Sequence, residues 1–268
     1  MPEGHVTHRA ARLHGKRFTG EEVQVSSPQG RFSASAEQIS GLVITEIEAI
    51  GKHLFYWFGD EMCVHVHLGL FGRFRLATPP FPEPSANARL LIWTDYHELQ
   101  LTGPNSCDLM PVAEVDRIKA GLGPDPIIDS AGGAQRFAYG LHRRRIPVGR
   151  AFPDQTVAAG IGNVFRSELL FLVGLNPLVP ANEVSEETAE RLWSVAVAEL
   201  KKGERVGRIV TVEPVDVGVD NRSQLEDDEL VYVYKRDGQP CRRCDVEITK
   251  TKIDSRNIWW CPGCQPGK

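Results

Sequence analysis

Three sets of residues in this chain are of a type and spacing to do chemistry. Four of its six cysteines crowd into the last 28 residues as C-x2-C-x16-C-x2-C: Cys241, Cys244, Cys261 and Cys264. Each CxxC sets two thiolates on one knuckle, and two knuckles complete the tetrahedron that zinc prefers. The intervening gap lies in the zinc-ribbon range. Paired CxxC elements in a chain with no secretory signal favour metal over disulfides. A closed site of four cysteines is structural, not catalytic, so the spacing predicts one structural Zn2+. The second set is at the amino terminus, Met1-Pro2-Glu3-Gly4. Removal of a methionine ahead of a small residue leaves Pro2 as a free secondary amine. An α-amino group is about two pKa units less basic than lysine, and so more available as a neutral nucleophile for an imine. The proline ring nitrogen is intrinsically more basic than most α-amines, so its surroundings must lower it. Glu3 beside it is placed to move protons. The third set is the turn Gly160-Ile161-Gly162-Asn163 within DQTVAAGIGNVFRSELLF (154–171). Successive backbone N–H groups in such a turn, followed by a helix N-terminus, make an anion site, and Asn163 adds a side-chain donor.

The elements that must position these residues can be read from periodicity. Residues 3–14 form a short helix with Val6, Ala10 and Leu13 on one face. From 42 to about 103 come short β-rich runs: GLVITEIEAI, HLFYWF, MCVHVHL, FRLA, ARLLIW and ELQLTG, broken by Gly, Pro or charge. No helical period interrupts them, which predicts antiparallel sheet in place of a parallel α/β fold. Residues 81–88 read as a loop. After GLGPDPI helices dominate to about 203. One spans 164–174. The clearest is 186–202, with Ser185 as cap, Glu186 and Glu187 at its positive end, an apolar stripe from Ala189 to Leu200, and Gly203 as its stop. The GIGN turn is expected between two helices. The zinc gap holds two strand-like runs, VEITKTKI and NIWW, so a β-hairpin joins the knuckles, with Trp259 and Trp260 in its packing. Cys63 reads as a core residue. His65 and His67 share a strand face and read as structural or nucleic-acid-facing; His5 and His8, one helical turn apart, have no ligand partner, so no second metal is expected.

Length and composition bound the rest. The 268 residues suggest about two domains, and 41% apolar with 25% charged residues is ordinary globular usage. No apolar run reaches the roughly 18 residues of a membrane span, and the N-terminus has no apolar signal region, so a cytoplasmic protein is expected. The net charge of -4 argues mildly against nucleic acid, but the average hides a gradient. Residues 1–75 carry 8 basic and 8 acidic side chains, 76–234 carry 15 and 23, and 235–268 carry 8 and 4. The zinc-stapled tail, with Lys250, Lys252 and Arg256, is locally basic and suits a phosphate backbone. Residues 204–229 are acidic and read as loop.

Together these motifs resemble the formamidopyrimidine-DNA glycosylase/endonuclease VIII family over nearly the whole chain. MPEG opens such proteins. GKHLF (51–55) is similar to the segment bearing the family's second catalytic amine, here Lys52. VHLGLFG (66–72) resembles the loop that wedges into the duplex, with Leu70 and Phe71 as the intercalating pair. DQTVAAGIGNVFRSELLF resembles the helix-two-turn-helix motif, and SRNIWWCPGCQ (255–265) the end of the family zinc finger, with Arg256 five positions before Cys261. The resemblance implies an α+β fold: an N-terminal helix plus a two-layer antiparallel β-sandwich, a helical domain with the helix-two-turn-helix motif, and a C-terminal β-hairpin zinc finger. The expected divisions are a catalytic domain (1–118), a helical DNA-binding domain (122–204), an acidic connecting loop (205–229) and the finger (230–268).

The resemblance also implies a bifunctional DNA glycosylase/AP lyase of base-excision repair. Pro2 attacks the sugar C1′ of a flipped-out nucleotide, Glu3 shuttles protons, and Lys52, Asn163 and Arg256 hold phosphates beside the lesion. Arg166 contacts DNA, Glu168 supports the Pro2 end, and zinc takes no part in the chemistry. The partner is damaged double-stranded DNA, with single-stranded or bubble DNA as a further form, and the protein is a monomer. The Arg-Arg-Phe-Gly segment of formamidopyrimidine-type enzymes is absent from the matching stretch TGPNSCDL (102–109). Arg166, MPEGH and VSSPQGRF (25–32) resemble an actinobacterial endonuclease VIII-like branch, which favours oxidised pyrimidines. The alternatives are an 8-oxoguanine/formamidopyrimidine-type glycosylase and a catalytically silent lesion-binding relative. A zinc-ribbon RNA-binding or scaffold protein would explain the tail alone. The wedge departs from the Gln-Leu-Tyr of well-studied endonuclease VIII, reading Gly69-Leu70-Phe71. The acidity of 204–229 would repel a duplex, which predicts that the stretch points away or stays mobile.

Overall fold

The computed structural model describes residues 2–129 and 131–267. The chain forms two compact units, Met1–Gly121 and Leu122–Lys268.

The first unit opens with helix α1 (Gly4–Phe18), which buries Ala10, Ala11 and Phe18 and carries Lys16 and Arg17 in its last turn, where they complement the helix dipole. It continues past the expected end at 14 because Phe18 is a fully buried anchor. Then come β1 (Glu22–Ser26), α2 (Ser33–Ile39), β2 (Leu42–Ile50), β3 (His53–Phe58), β4 (Met62–His67), β5 (Arg73–Ala77), β6 (Ala88–Trp93), β7 (Glu98–Thr102), β8 (Ser106–Pro111) and α3 (Val112–Ala120). The strands run antiparallel in the order β5-β7-β6-β1-β2-β3-β4-β8. Only Glu22↔Val43 and Val23↔Leu42 join β1 to β2, so the ladder is two four-stranded sheets hinged at that short pairing. Leu54, Tyr56, Val64 and Val66 of one sheet share a core with Leu90, Ile92, Leu99 and Leu101 of the other and with α1. This is the expected sandwich. Alternation sends Phe55 and Cys63 to the opposite face, where they pack with Met110 and Val115 under α3. Strand β3 is therefore buried on both sides, which explains its unbroken apolar run.

The second unit contains α4 (Gly133–His142), the short α5 (Val148–Ala151), α6 (Asn163–Leu172), α7 (Glu186–Val206) and a hairpin of β9 (Thr249–Ile253) and β10 (Arg256–Trp260). Phe137, Phe152, Phe165, Leu169, Leu192 and Trp193 form its main core, and Ile253 and Ile258 of the hairpin join them. The Ser185 hydroxyl accepts from the Thr188 N–H, as expected of the cap. Helix α7, however, runs through Gly203 and stops at Gly207, whose φ of 88° closes it. A glycine inside a helix costs about 1 kcal/mol; Gly203 is itself buried on the packed face of α7, and the left-handed Gly207 supplies the stop in its place. The expected helix before the GIGN turn is also corrected. Residues 153–161 are a run of turns begun by Asp154, whose Oδ1 accepts from both the N–H and the hydroxyl of Thr156. The acidic stretch is tied down. It forms two 3-10 turns, Pro214–Val217 and Arg222–Gln224, and Glu213, Asp216 and Asp227 pair with Arg222, Arg243 and Arg208. Among the described residues no helix is long and apolar enough to cross a membrane.

Candidate active site and metal centre

In the first unit the expected catalytic residues converge on the head of α1. Glu3 is the residue before the helix, in extended conformation, and is completely buried. The buried Thr7 hydroxyl lies 2.9 Å from the Gly4 carbonyl and 2.6 Å from the carbonyl of Gly51. It ties the first turn of α1, immediately after Pro2 and Glu3, to the Gly51-Lys52 turn between β2 and β3. Sequence reasoning missed Thr7, because a threonine inside a helix ordinarily bonds its own helix. Beside Lys52, His53 Nδ1 and His65 Nε2 are 2.9 Å apart, and the His67 ring stands 5.2 Å from that of His53. Burial, then the neighbouring His65, His67 and Lys52, lower His53 to a pKa of about 4. Burial likewise brings His65 to about 4 and lowers His67. These imidazoles are neutral at pH 7, so they add no positive charge beside Lys52. Burial also holds His5, in the first turn of α1, at about 4.

The wedge loop joins β4 to β5 and exposes its two apolar tips, Leu70 at 60% and Phe71 at 83%. Exposed large apolar side chains on a tight loop need a reason. The Gly72 N–H donates to the Leu68 carbonyl at 2.9 Å, and a Cβ on Gly72 would lie 2.3 Å from that oxygen. The turn is therefore closed to any other residue, and it holds the tips outward.

In the second unit the side chain of Gln155 clamps the GIGN turn, accepting from the Gly160 N–H and donating to the Pro153 and Ile161 carbonyls. Asn163 begins α6, and its Nδ2 donates to the Asn257 carbonyl at 3.1 Å. Asn257 follows Arg256, which is exposed on β10. The structure thus brings Asn163 and the Arg256 strand together. Arg166, expected on DNA, is instead 2% exposed. Its guanidinium donates to Asn163 Oδ1, to the Asn257 carbonyl at 2.7 Å and to the Gly149 carbonyl at 3.1 Å. A planar fork can serve several fixed acceptors at once, and here it sets the helix start against the hairpin. Glu168, expected to support Pro2, spends its carboxylate on the 211–234 segment. Oε2 accepts from the Thr211 hydroxyl at 2.5 Å and the Tyr232 N–H at 2.8 Å, and Oε1 from the N–H groups of Val233 at 2.9 Å and Tyr234 at 2.8 Å. A buried carboxylate needs such donors, and the chain leading into the finger supplies them.

The four cysteine sulfurs lie within 4.8 Å of one another, and no other described residues group this way. Sγ–Sγ distances are 3.8 Å for Cys241–Cys264, 3.4 Å for Cys244–Cys261 and 3.5 Å for Cys244–Cys264. Four sulfurs each about 2.3 Å from a tetrahedral zinc stand about 3.8 Å apart, so the cluster has the size the ion requires. The N–H of Arg243 points at Cys241 Sγ and that of Cys264 at Cys261 Sγ, each at 3.4 Å, as thiolates require. Zinc held there would fix the knuckles and the hairpin and leave no open coordination position. Trp259 packs as expected. It is buried against Tyr234, with its indole N–H on Asp237.

Comparison with known proteins agrees with this construction. Residues 1–106 match the formamidopyrimidine-DNA glycosylase N-terminal domain, 122–213 the formamidopyrimidine-DNA glycosylase H2TH domain, and 238–267 the zinc finger found in FPG and IleRS. Endonuclease 8 1 of Mycobacterium tuberculosis (strain ATCC 25618 / H37Rv) is 42% identical over 270 residues, covering 99% of this chain and 100% of that one. The formamidopyrimidine-DNA glycosylase of Acidothermus cellulolyticus is 31% identical, covering 99% and 96%. The Lactococcus lactis Fpg in complex with abasic-site DNA superposes with a TM-score of 0.80 at 25% identity, covering 99% and 100%. With the sandwich, the clamped GIGN turn and the four-cysteine finger each matched by a domain of one family, and with whole-length relatives on both of its sides, the chain belongs to the formamidopyrimidine-DNA glycosylase/endonuclease VIII family of DNA glycosylase/AP lyases, on the endonuclease 8-like branch.

Proposed function

We propose that this protein excises oxidised bases, pyrimidines in preference, from duplex DNA and cleaves the strand at the resulting abasic site. The observation that carries the reading is the Thr7 bridge, which ties the turn after Pro2 and Glu3 to the turn bearing Lys52. In this reading the Pro2 nitrogen, freed of Met1, attacks C1′ of the extruded nucleotide. The C1′–N glycosidic bond breaks and the base departs with its electron pair. The Pro2 nitrogen gives up its N–H proton, which the departing base takes up; Glu3 donates a proton to the ring oxygen, the C1′–O4′ bond breaks, and a C1′ iminium forms on Pro2. The iminium accepts the electrons released when a C2′ proton is removed, and the C3′–O bond breaks with departure of the 3′-phosphate. Cleavage ends at this β-elimination or continues, by a second elimination at C5′, to β,δ-cleavage. Lys52, Asn163 and Arg256 hold the phosphates flanking the lesion, and Leu70 and Phe71 fill the space the extruded base vacates. Extrusion costs a few kcal/mol and is cheapest at damaged pairs, so a preformed apolar filler lowers that cost. Zinc stays structural. The abasic-site DNA bound by the Lactococcus lactis relative supports the partner, and the endonuclease 8 naming of the mycobacterial relative supports the branch.

The test is single-turnover excision from matched duplexes carrying 5-hydroxycytosine or 8-oxoguanine. A faster rate on the pyrimidine by tenfold or more is expected. A preference for 8-oxoguanine would contradict the lesion class.

A further inference from the structure

A cavity of about 740 Å³ lies in the second unit, and the proposed chemistry does not use it. One wall is the outer face of α4 and its exit. Arg136, Tyr139, Gly140 and Arg143 line it at helical spacing, so they share a stripe. The other wall is Leu122, Gly123, Pro124 and Thr156. The volume falls in the range of small-ligand sites, roughly 300–1,000 Å³. Its chemistry is specific. Tyr139 is 65% exposed, and the Arg143 guanidinium sits 5.4 Å from the ring centroid with Nη1 3.3 Å from the phenol oxygen. No carboxylate pairs with Arg143 among the described residues. Arg136 is exposed one turn before Tyr139. Its Nη1 donates to the Ala131 carbonyl at 3.1 Å. Arg144 pairs with Asp154 at 2.9 Å, and it also holds the Thr156 hydroxyl at 2.6 Å, which fixes the far wall to α4. The cavity therefore combines a rigid floor, an exposed aromatic face and cations on both sides of it, about 10 Å apart along the helix.

We infer that this cavity is a second nucleic-acid site, which takes a single-stranded segment by stacking an unpaired base on Tyr139 with adjoining phosphates on Arg136 and Arg143. Stacking platforms between basic side chains are how single strands are held without sequence preference. Residues 133–150 carry five arginines and no acidic side chain, a local basic run within a longer stretch whose overall charge is negative, and a phosphate backbone suits it. The occupant's class rests on the proposed function; the site itself stands on the cavity.

The experiment uses the full-length zinc-loaded protein and a fluorescein-labelled oligothymidylate twelve nucleotides long, read by anisotropy. The titration is made in the presence of saturating duplex that carries a tetrahydrofuran abasic analogue. The oligonucleotide is expected to bind while the duplex stays bound. Tyr139→Ala and the double variant Arg136→Gln/Arg143→Gln should each weaken it tenfold or more, and Tyr139→Phe should not. The double variant should also flatten the slope of log affinity against log salt by about 1.4, two phosphate contacts on a single strand. Cleavage of an abasic-site duplex should be unchanged in all three, which shows that they are folded. Full displacement of the oligonucleotide by the duplex, unchanged affinity in the double variant, or loss of duplex cleavage in parallel would each overturn the second site. A wild-type protein that binds the oligonucleotide but does not cleave abasic duplex would overturn the proposed function and leave this site standing.

Discussion

Arg166 shows what one residue can conceal. Three residues after Asn163 in sequence, it reads as a surface cation reaching for DNA, because arginine is rarely buried. Its partners decide otherwise, and the decisive one, the Asn257 carbonyl, lies 91 positions along the chain, where no local pattern reports it. Replacing it with methionine would leave the Gly149 carbonyl and Asn163 Oδ1 without the guanidinium donor, and the Asn257 carbonyl with Asn163 Nδ2 alone. Each buried unsatisfied group costs about 1–3 kcal/mol, so Arg166→Met should lower unfolding stability by roughly 2–4 kcal/mol and speed amide exchange at Ile258 and Trp259. A neutral effect in urea titration would contradict the assignment. Glu168 carries the same lesson, since its four donors come from residues 211–234. The cysteines, by contrast, were fully legible, because a ligand set is written in spacing. The buried histidines make a further prediction. His14 is lowered by burial, with Arg17 adding to it, to about 3, and His5, His53 and His65 stand near 4, against 6.5 for the ordinary imidazole. A base whose folded pKa is depressed is protonated first in the unfolded chain. The stability these groups allow is therefore complete above pH 6.5 and lost as pH falls from 6.5 toward 4. The unfolding free energy from urea titration should drop over that window by an amount on the order of a few kcal/mol, with the midpoint falling accordingly, and His14→Gln, which keeps a hydrogen-bonding group opposite Tyr56, should flatten the curve. An unchanged midpoint between pH 7 and 4.5 would contradict it.

At the scale of elements, legibility followed periodicity and length. Helix α7 and the two-sided strand β3 were evident because their apolar positions recur over many residues. Strand β1 was missed because it offers only Val23 and Val25, and it is held by its neighbours β2 and β6. Strand β8 was missed because it ends in Pro111. A proline is tolerated there because β8 is the edge of the sheet order. The finger is the element most dependent on something outside the chain's own packing. Its hairpin rests on α6 through the Asn257 carbonyl and through the Ser167 hydroxyl facing the Trp259 N–H, while the knuckles depend on the metal. Structural zinc contributes about 10–16 kcal/mol of apparent binding free energy to small fingers at pH 7. Chelation under mild denaturant should therefore release one zinc per chain, shift the tryptophan fluorescence reporting Trp259 and Trp260, and abolish duplex binding while leaving strand content nearly intact. Retention of duplex affinity in the metal-free protein would show that the finger is not what presents Arg256.

At the scale of the whole molecule, a net charge of -4 is compatible with a DNA enzyme because charge is local. Much of the acidity of 204–229 is spent on ion pairs with Arg208, Arg222 and Arg243, and Arg243 stands next to the Cys244 knuckle, stacked 4.4 Å from the Tyr232 ring. Sequence correctly marked the stretch as acidic but not as anchored, since its anchors are contacts made only on folding. The residues of the proposed chemistry fall in both units: the amine, its glutamate and the Lys52 turn lie in the first, the Asn163 turn and the Arg256 strand in the second. The central claim is that the Pro2 nitrogen becomes covalently bonded to the sugar. Borohydride reduction of the protein on an abasic-site duplex, followed by mass analysis, tests it most directly. The account predicts a stable protein–DNA adduct at the N-terminal peptide, with Met1 absent, that disappears on Pro2→Gly or when Met1 removal is blocked. No adduct from zinc-loaded protein that lacks Met1, or an adduct mapped to Lys52, would contradict it.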